Sequence, residues 1–395
     1  MVAVPPLLAL TVPKTTPSGV AIVAPPAISP QTKRPAIFGF ERILAYAIGR
    51  PSEAFGAAYK MFDGPRKIAR LPGPPYQFLD RIVEIHGQPW KLVAGPEIEA
   101  EYDVPAGEWY FGANRQGDLP FAVLLEIALQ PCGWLAAYLG SALTSEIDLR
   151  FRNLGGSAVQ LAPVFPGVGT LTTRVKITKV SSSGGMIIQN FDYEMRSGSG
   201  PVYRGNTYFG FFSAAALGQK VGVRDAKLYA PTGAELGRAR ASEFPRAWPF
   251  ASEQLRMVDR VECHVPDGGP AGLGFVRGTK RVNVAEWFFQ AHFFEDPVMP
   301  GSLGLEAFLQ LAKFLAAERW GTPPGTRLEA VAVRQPHEWV YRGQVIPTNK
   351  VMTVEAVVTA ADDQRKLLRV DGFLLVDGRV IYAMKNFTVC QTRGG

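Results

Sequence analysis

The sequence predicts an α+β architecture built twice over in one chain. Three observations carry this. Short matching strings recur in the two halves. Each half holds one long, almost wholly apolar helical run. Each such run is followed by alternating segments rich in Val, Ile, Thr and Phe, which is the pattern of strands. FLDRIVEI (78–85) matches MVDRVEC (257–263), WYF (109–111) matches WFF (287–289), and LEIALQ (125–130) matches LEAFLQ (305–310). Asp80 and Trp109 are spaced as Asp259 and Trp287 are, to within a single position. Each unit therefore reads as a hairpin, a long central helix and at least three antiparallel strands, a sheet curled around one helix.

Along the chain, residues 1–35 are proline-rich and nearly uncharged, and read as an extended tail or linker. Residues 36–65 hold FGFERILAYAIGRPSEAFGAAYKMF, one or two short helices packed on the first unit. The first unit spans 66–218, with strands expected in GTLTTRVKITKV, GMIIQNFDYEMRS and VYRGNTYFGFF. A poorly patterned link covers 219–250. The second unit spans 251–393, with strands in MTVEAVVTA, KLLRVDGFLLV and VIYAMKNFTVC. Its central helix, Gly301 to Arg319, would be roughly 28 Å long.

Composition bounds the function classes. At 395 residues, 47% hydrophobic and 19% charged, the chain can bury two cores. The net charge of +7 suits an acidic partner, but no block of Lys and Arg marks a nucleic-acid site. Cys132, Cys263 and Cys390 are odd in number and widely spaced, which predicts free thiols, no structural zinc and a reducing cytoplasmic setting. The apolar run from Leu119 to Leu143 is long enough to cross a bilayer, yet it carries Glu126 and Pro131 and has a counterpart downstream. A helix wrapped by a sheet is apolar all round as well, and that reading is preferred to a membrane span.

The chemistry concentrates in WFFQAHFFEDPVMPGSLGLEAFLQ (287–310). His292 stands before a turn, Pro300-Gly301, that opens a helix. Imidazole titrates near neutral pH and is the natural base. The first N–H groups of a helix lack partners and favour negative charge, and glycine lets a carbonyl approach them. Glu306 is the acid in an otherwise apolar run, where its neutral form is favoured. Glu126 holds the same place in the first unit, and glutamines follow both acids on the same helix face, Gln130 and Gln310. Base, helix-start donors and buried acid are the parts needed to remove water from a 3-hydroxyacyl chain. Ser302 has no base beside it to make it a nucleophile.

The string H-F-x-x-D-P-V-M-P-G-x-L-G-L-[D/E] resembles the active-site signature of bacterial β-hydroxyacyl-ACP dehydratases of the β-hydroxydecanoyl type. With LPGPPYQFLDRIVEI, EYDVPAGEWYF and PFAVLLEIALQPCGWLAAYLGSAL in the first unit, residues 38–393 resemble the dehydratase didomains of polyunsaturated fatty acid synthases and iterative polyketide synthases. The resemblance implies a tandem hotdog whose units pair through their sheets. It implies dehydration of 3-hydroxyacyl-ACP to trans-2-enoyl-ACP, with 2-trans to 3-cis isomerisation in some members. It makes the Gly301 N–H the oxyanion donor and implies sites shared between hotdogs. His292 would then work with Glu126, while Glu306 would face Asn114, which aligns with His292 and cannot act as a base. The first unit lacks the D-P-V-M-P-G string, so one working site and one degenerate cavity are expected. No cofactor is implied; the substrate rides on the phosphopantetheine of an acyl carrier protein, the expected partner. A homodimer and a place in a larger synthase both stay open. The competing readings are a hotdog thioesterase and a non-catalytic acyl-binding or scaffold module.

Overall fold

The computed structural model describes residues 33–219 and 221–393. The proline-rich tail therefore lies outside the described residues as far as residue 32. Residues 33 and 34 are ion-paired to the first unit, Lys33 to Asp103 at 2.7 Å and Arg34 to Glu99 and Glu101 at 2.6 Å.

The first half begins with helices α1 (Phe40–Ile48) and α2 (Pro51–Phe55), then strands β1 (Arg81–His86) and β2 (Glu97–Val104). Helices α3 (Trp109–Asn114) and α4 (Phe121–Tyr138) follow, then β3 (Arg150–Gln160), β4 (Gly169–Ser183), β5 (Met186–Ser197) and β6 (Gly200–Phe212). Helices α5 (Ala214–Gly218) and α6 (Gly233–Arg238) and strand β7 (Arg240–Glu243) connect the halves. The second half repeats the order: β8 (Arg260–Val265), β9 (Phe275–Arg281), α7 (Trp287–Ala291), α8 (Gly301–Trp320), β10 (Thr326–Ala330), β11 (Pro336–Tyr341), β12 (Val351–Asp362), β13 (Leu367–Val376) and β14 (Arg379–Arg393).

All strands join one sheet in the order β1-β2-β4-β5-β6-β3-β11-β14-β13-β12-β9-β8-β7, with β10 on β14. The order reads the same from either end up to β7, so the halves are related by a pseudo-two-fold axis at the β3–β11 pairing. That seam is antiparallel, from Pro336 opposite Val159 to Val340 opposite Gly155. The fold is a double hotdog, as the sequence predicts. α4 packs on β2, β4 and β5, α8 packs on β9, β12, β13 and β14, and the two helices touch each other. Every residue of α4 except Tyr138 is buried, which accounts for the bilayer-length apolar run as core. Each fully buried Leu or Phe there contributes about 1.5–3 kcal/mol. Both central helices stop at a glycine of positive φ, Gly140 (80°) and Gly321 (71°).

The repeat is kept in its hydrogen bonds. Gln130 binds the chain entering β1, donating to the Tyr76 carbonyl (2.9 Å) and accepting from the Phe78 N–H (2.7 Å). Gln310 does the same at Leu255 (2.8 Å) and Met257 (2.9 Å). Asp80 accepts from the Asp103 N–H and Asp259 from the Arg281 N–H. The Trp109 and Trp287 indoles donate to the Pro75 and Gln254 carbonyls. The matched strings are thus the parts that fix the hairpin to the central helix.

Candidate active site

His292 is set by the end of a short helix. Its N–H closes α7 on the Phe288 carbonyl (2.9 Å), and its carbonyl accepts from the Val298 N–H (2.8 Å). Its Nδ1 lies 2.9 Å from the Val298 carbonyl oxygen. A carbonyl only accepts, so Nδ1 carries the proton and Nε2 keeps a free lone pair. The ring is 8% exposed. Burial, with a smaller push from the Arg152 guanidinium, brings its pKa down to about 3. The imidazole is therefore neutral at pH 7, the state a base requires.

The loop after His292 is tied to the other half of the molecule. Asp296, the aspartate of D-P-V-M-P-G, pairs with Arg150 (2.9 Å) and Arg152 (2.7 Å) on β3. The Met299 N–H donates to the Val345 carbonyl. Pro300 then caps α8 without a side-chain bond, and Gly301 and Ser302 begin the helix. Their N–H groups stand where no intrahelical acceptor exists. Gly301 is required by its surroundings, since a Cβ there would stand 2.6 Å from Cε2 of Tyr341.

Glu126 comes from α4 of the first half, and it lines the same cavity as His292 and Gly301. Its Oε1 accepts from the Ser302 hydroxyl (2.7 Å) and its Oε2 from the Gln130 amide (3.1 Å). The Tyr76 hydroxyl bonds the same Ser302 oxygen at 2.9 Å. Burial raises the Glu126 pKa, and the bonds from Ser302 and Gln130 oppose it less strongly. The cavity is about 90 Å³, room for about three waters. It shares Arg152, Asn153, Tyr341, Gly343 and Gln344 with an adjoining cavity of about 290 Å³ that also reaches Leu217, Ile346 and Arg379.

The related half-site is built differently. Glu306 does not line the His292 cavity. Its Oε1 accepts from Gln310 (3.0 Å), and its Oε2 is buried with no partner among the described residues. Asn114 ends α3 much as His292 follows α7, but its amide donates to Asp118 at its carbonyl (3.0 Å) and carboxylate (3.1 Å). Lys313 holds the place after Glu306 that Gly133 holds after Glu126. Gly133 lines the His292 cavity, whereas Lys313 is buried with its ammonium 3.4 Å from the Asn114 oxygen. Phe121 replaces Gly301 after the helix-opening proline and packs on Tyr203, His337 and Phe387. A large ring stands where the other half leaves bare backbone.

The remaining histidines are elsewhere. His86 ends β1 on the surface beside Glu84, and His264 is buried on β8. His337 is enclosed on β11, 3.0 Å from the Tyr203 hydroxyl. Sequence reasoning missed Tyr76, Tyr341 and Lys313, and saw Ser302 only as an unsupported nucleophile. The signal for Ser302 was its place one residue past the helix-opening glycine. Tyr76 and Tyr341 are remote in sequence and gave none.

Residues 250–385 match the FabA-like domain family. The chain is 30% identical over 382 residues to a subunit of the polyunsaturated fatty acid synthase of Thraustochytrium sp. (strain ATCC 26185 / S-3), a match that covers 87% of this chain. It spans about a quarter (25%) of that relative's length. Among solved structures it resembles the pyran synthase domain from module nine of the sorangicin pathway, at TM-score 0.46 and 15% identity over 80% of this chain and 98% of the other. It also resembles the dehydratase domain from the CurJ module of the curacin polyketide synthase, at TM-score 0.42 and 12% identity over 79% and 96%.

Proposed function

We propose that this chain, a double hotdog with a FabA-like second half, dehydrates 3-hydroxyacyl thioesters to trans-2-enoyl thioesters. The observation that carries the reading is the meeting of His292 and Glu126, one from each half, on a single cavity at the start of α8. Nε2 of His292 takes the C2 proton. The electron pair moves toward the thioester carbonyl, and the charge on its oxygen is held by the Gly301 N–H. The pair then returns to form the C2=C3 double bond while the C3–O bond breaks and Glu126 gives its proton to the departing hydroxyl, which leaves as water. The same dyad, buried in one pocket, suits this step, since one partner must be neutral base and the other neutral acid. The similarity to part of a polyunsaturated fatty acid synthase supports an acyl carrier protein as the bearer of the substrate, with the phosphopantetheine arm in the adjoining cavity.

The test is direct. The purified chain is incubated with a 3-hydroxyacyl-pantetheine and enoyl absorbance is followed. His292→Ala should abolish it while leaving the far-ultraviolet circular dichroism unchanged. A 3-cis product in the same assay would report isomerisation. Release of free thiol without enoyl product would replace the reading with a thioesterase.

A further inference from the structure

We infer that the Tyr341 hydroxyl is a second donor to the thioester oxygen, acting beside the Gly301 N–H. This rests on the dehydration proposed above and adds a catalytic residue to it. Tyr341 ends β11, paired opposite Tyr382 of β14. Its ring lies against the Tyr382 ring, with centroids 4.3 Å apart. The phenol covers one face of Gly301: a Cβ on that glycine would be 3.1 Å from the Tyr341 oxygen. Tyr341 lines the cavity that holds His292 and Glu126.

The hydroxyl is unusual in having nothing to bind. Tyr341 is 4% exposed, and its oxygen has no hydrogen-bond partner among the described residues. Buried hydroxyls are normally satisfied, and an unmet one calls for an explanation. Tyr76, joined to Glu126 through Ser302, shows the ordinary arrangement, its hydroxyl 2.9 Å from the Ser302 oxygen. A thioester oxygen set before Gly301 would supply the missing acceptor. Burial, followed by the nearby Tyr382 and Glu126, raises the Tyr341 pKa, so the phenol keeps its proton and acts only as a donor. No covalent bond to Tyr341 forms or breaks.

The variant is Tyr341→Phe, which removes the oxygen and keeps the ring between Gly301 and Tyr382. Two rates are measured with acyl-pantetheine substrates. One is kcat for dehydration. The other is exchange of the C2 proton with deuterium oxide in a saturated acyl-pantetheine, which has no C3 hydroxyl and reports enolate formation alone. An oxyanion donor predicts a loss of about 100-fold in both, with KM little changed and Tm unchanged or higher. A loss under about tenfold in exchange overturns the proposal. So does a loss confined to dehydration, which would put the hydroxyl on the leaving group. Wild-type and His292→Ala controls separate the two levels. An active wild type, a dead His292→Ala and an unimpaired Tyr341→Phe sink this inference alone. A wild type that neither dehydrates nor exchanges sinks the function as well.

Discussion

His292 and Glu126 are pushed in opposite directions on the pH scale by one cause. Removal from water favours the neutral form of each, so the imidazole falls to about 3 and the carboxyl rises. The pH dependence follows with a definite sign. In the proposed mechanism His292 acts as the neutral base, so no acid limb from this group is expected above about pH 4. The same mechanism uses Glu126 as the protonated acid, so it predicts that kcat/KM falls as pH rises through the elevated carboxyl pKa. An acid limb near pH 6.5 would show a solvated imidazole instead. The acid assignment is tested by a pair of variants. Glu126→Gln should lower kcat by about 100-fold or more, whereas Glu306→Gln, outside the cavity, should stay within a few-fold of wild type. The reverse ranking would mean that the acid comes from the same half as His292.

The elements most legible in the sequence were those with one dominant period. The two apolar runs became α4 and α8, and the alternating segments became β4 to β6 and β12 to β14. The seam strand β3 was not legible, because RFRNLGGSAVQ has no alternation and two central glycines that read as a turn. Its glycines are there for packing. A Cβ on Gly156 would stand 2.5 Å from the Asn206 carbonyl oxygen and 2.6 Å from Cζ2 of Trp339 on the partner strand. Gly156→Ala should therefore destabilise the fold by about 1–3 kcal/mol. Urea denaturation should show a lower midpoint at unchanged slope, and a wild-type midpoint would remove the packing argument. The site divides along the same line. His292, Pro300 and Gly301 lie in one continuous string and could be read from it. Whether Glu126 or Glu306 faces His292 depends on how two distant halves dock. Ser302, Tyr76 and Tyr341 join the site only through that docking.

At the scale of the molecule, the duplication has left two half-sites with opposite fates. One is open, with bare glycines at Gly133 and Gly301 and a loop anchored across the seam by Asp296. The other is filled by Lys313 and Phe121, and its aromatic neighbours enclose His337. Two of the three buried histidines, His292 and His337, have consequences for stability that the whole chain feels. His292 and His337 each titrate at about 3 in the folded protein against about 6.5 when unfolded, burial being the main cause. Above pH 6.5 neither state binds the proton and stability is unaffected. Below it the unfolded chain takes up protons that the folded chain refuses, so stability falls continuously as pH drops from 6.5 toward 3. Each histidine contributes a slope of about 1.4 kcal/mol per pH unit. His337 can be tested without touching the cavity lined by His292 and Glu126. In His337→Phe the aromatic box is kept and the titration is removed. Its unfolding free energy should decline less than that of wild type between pH 6.5 and 4.5, by about 1.4 kcal/mol for each unit. Parallel curves for the two proteins would mean that the imidazole accepts its proton inside the native fold, and that the aromatic enclosure does not exclude charge.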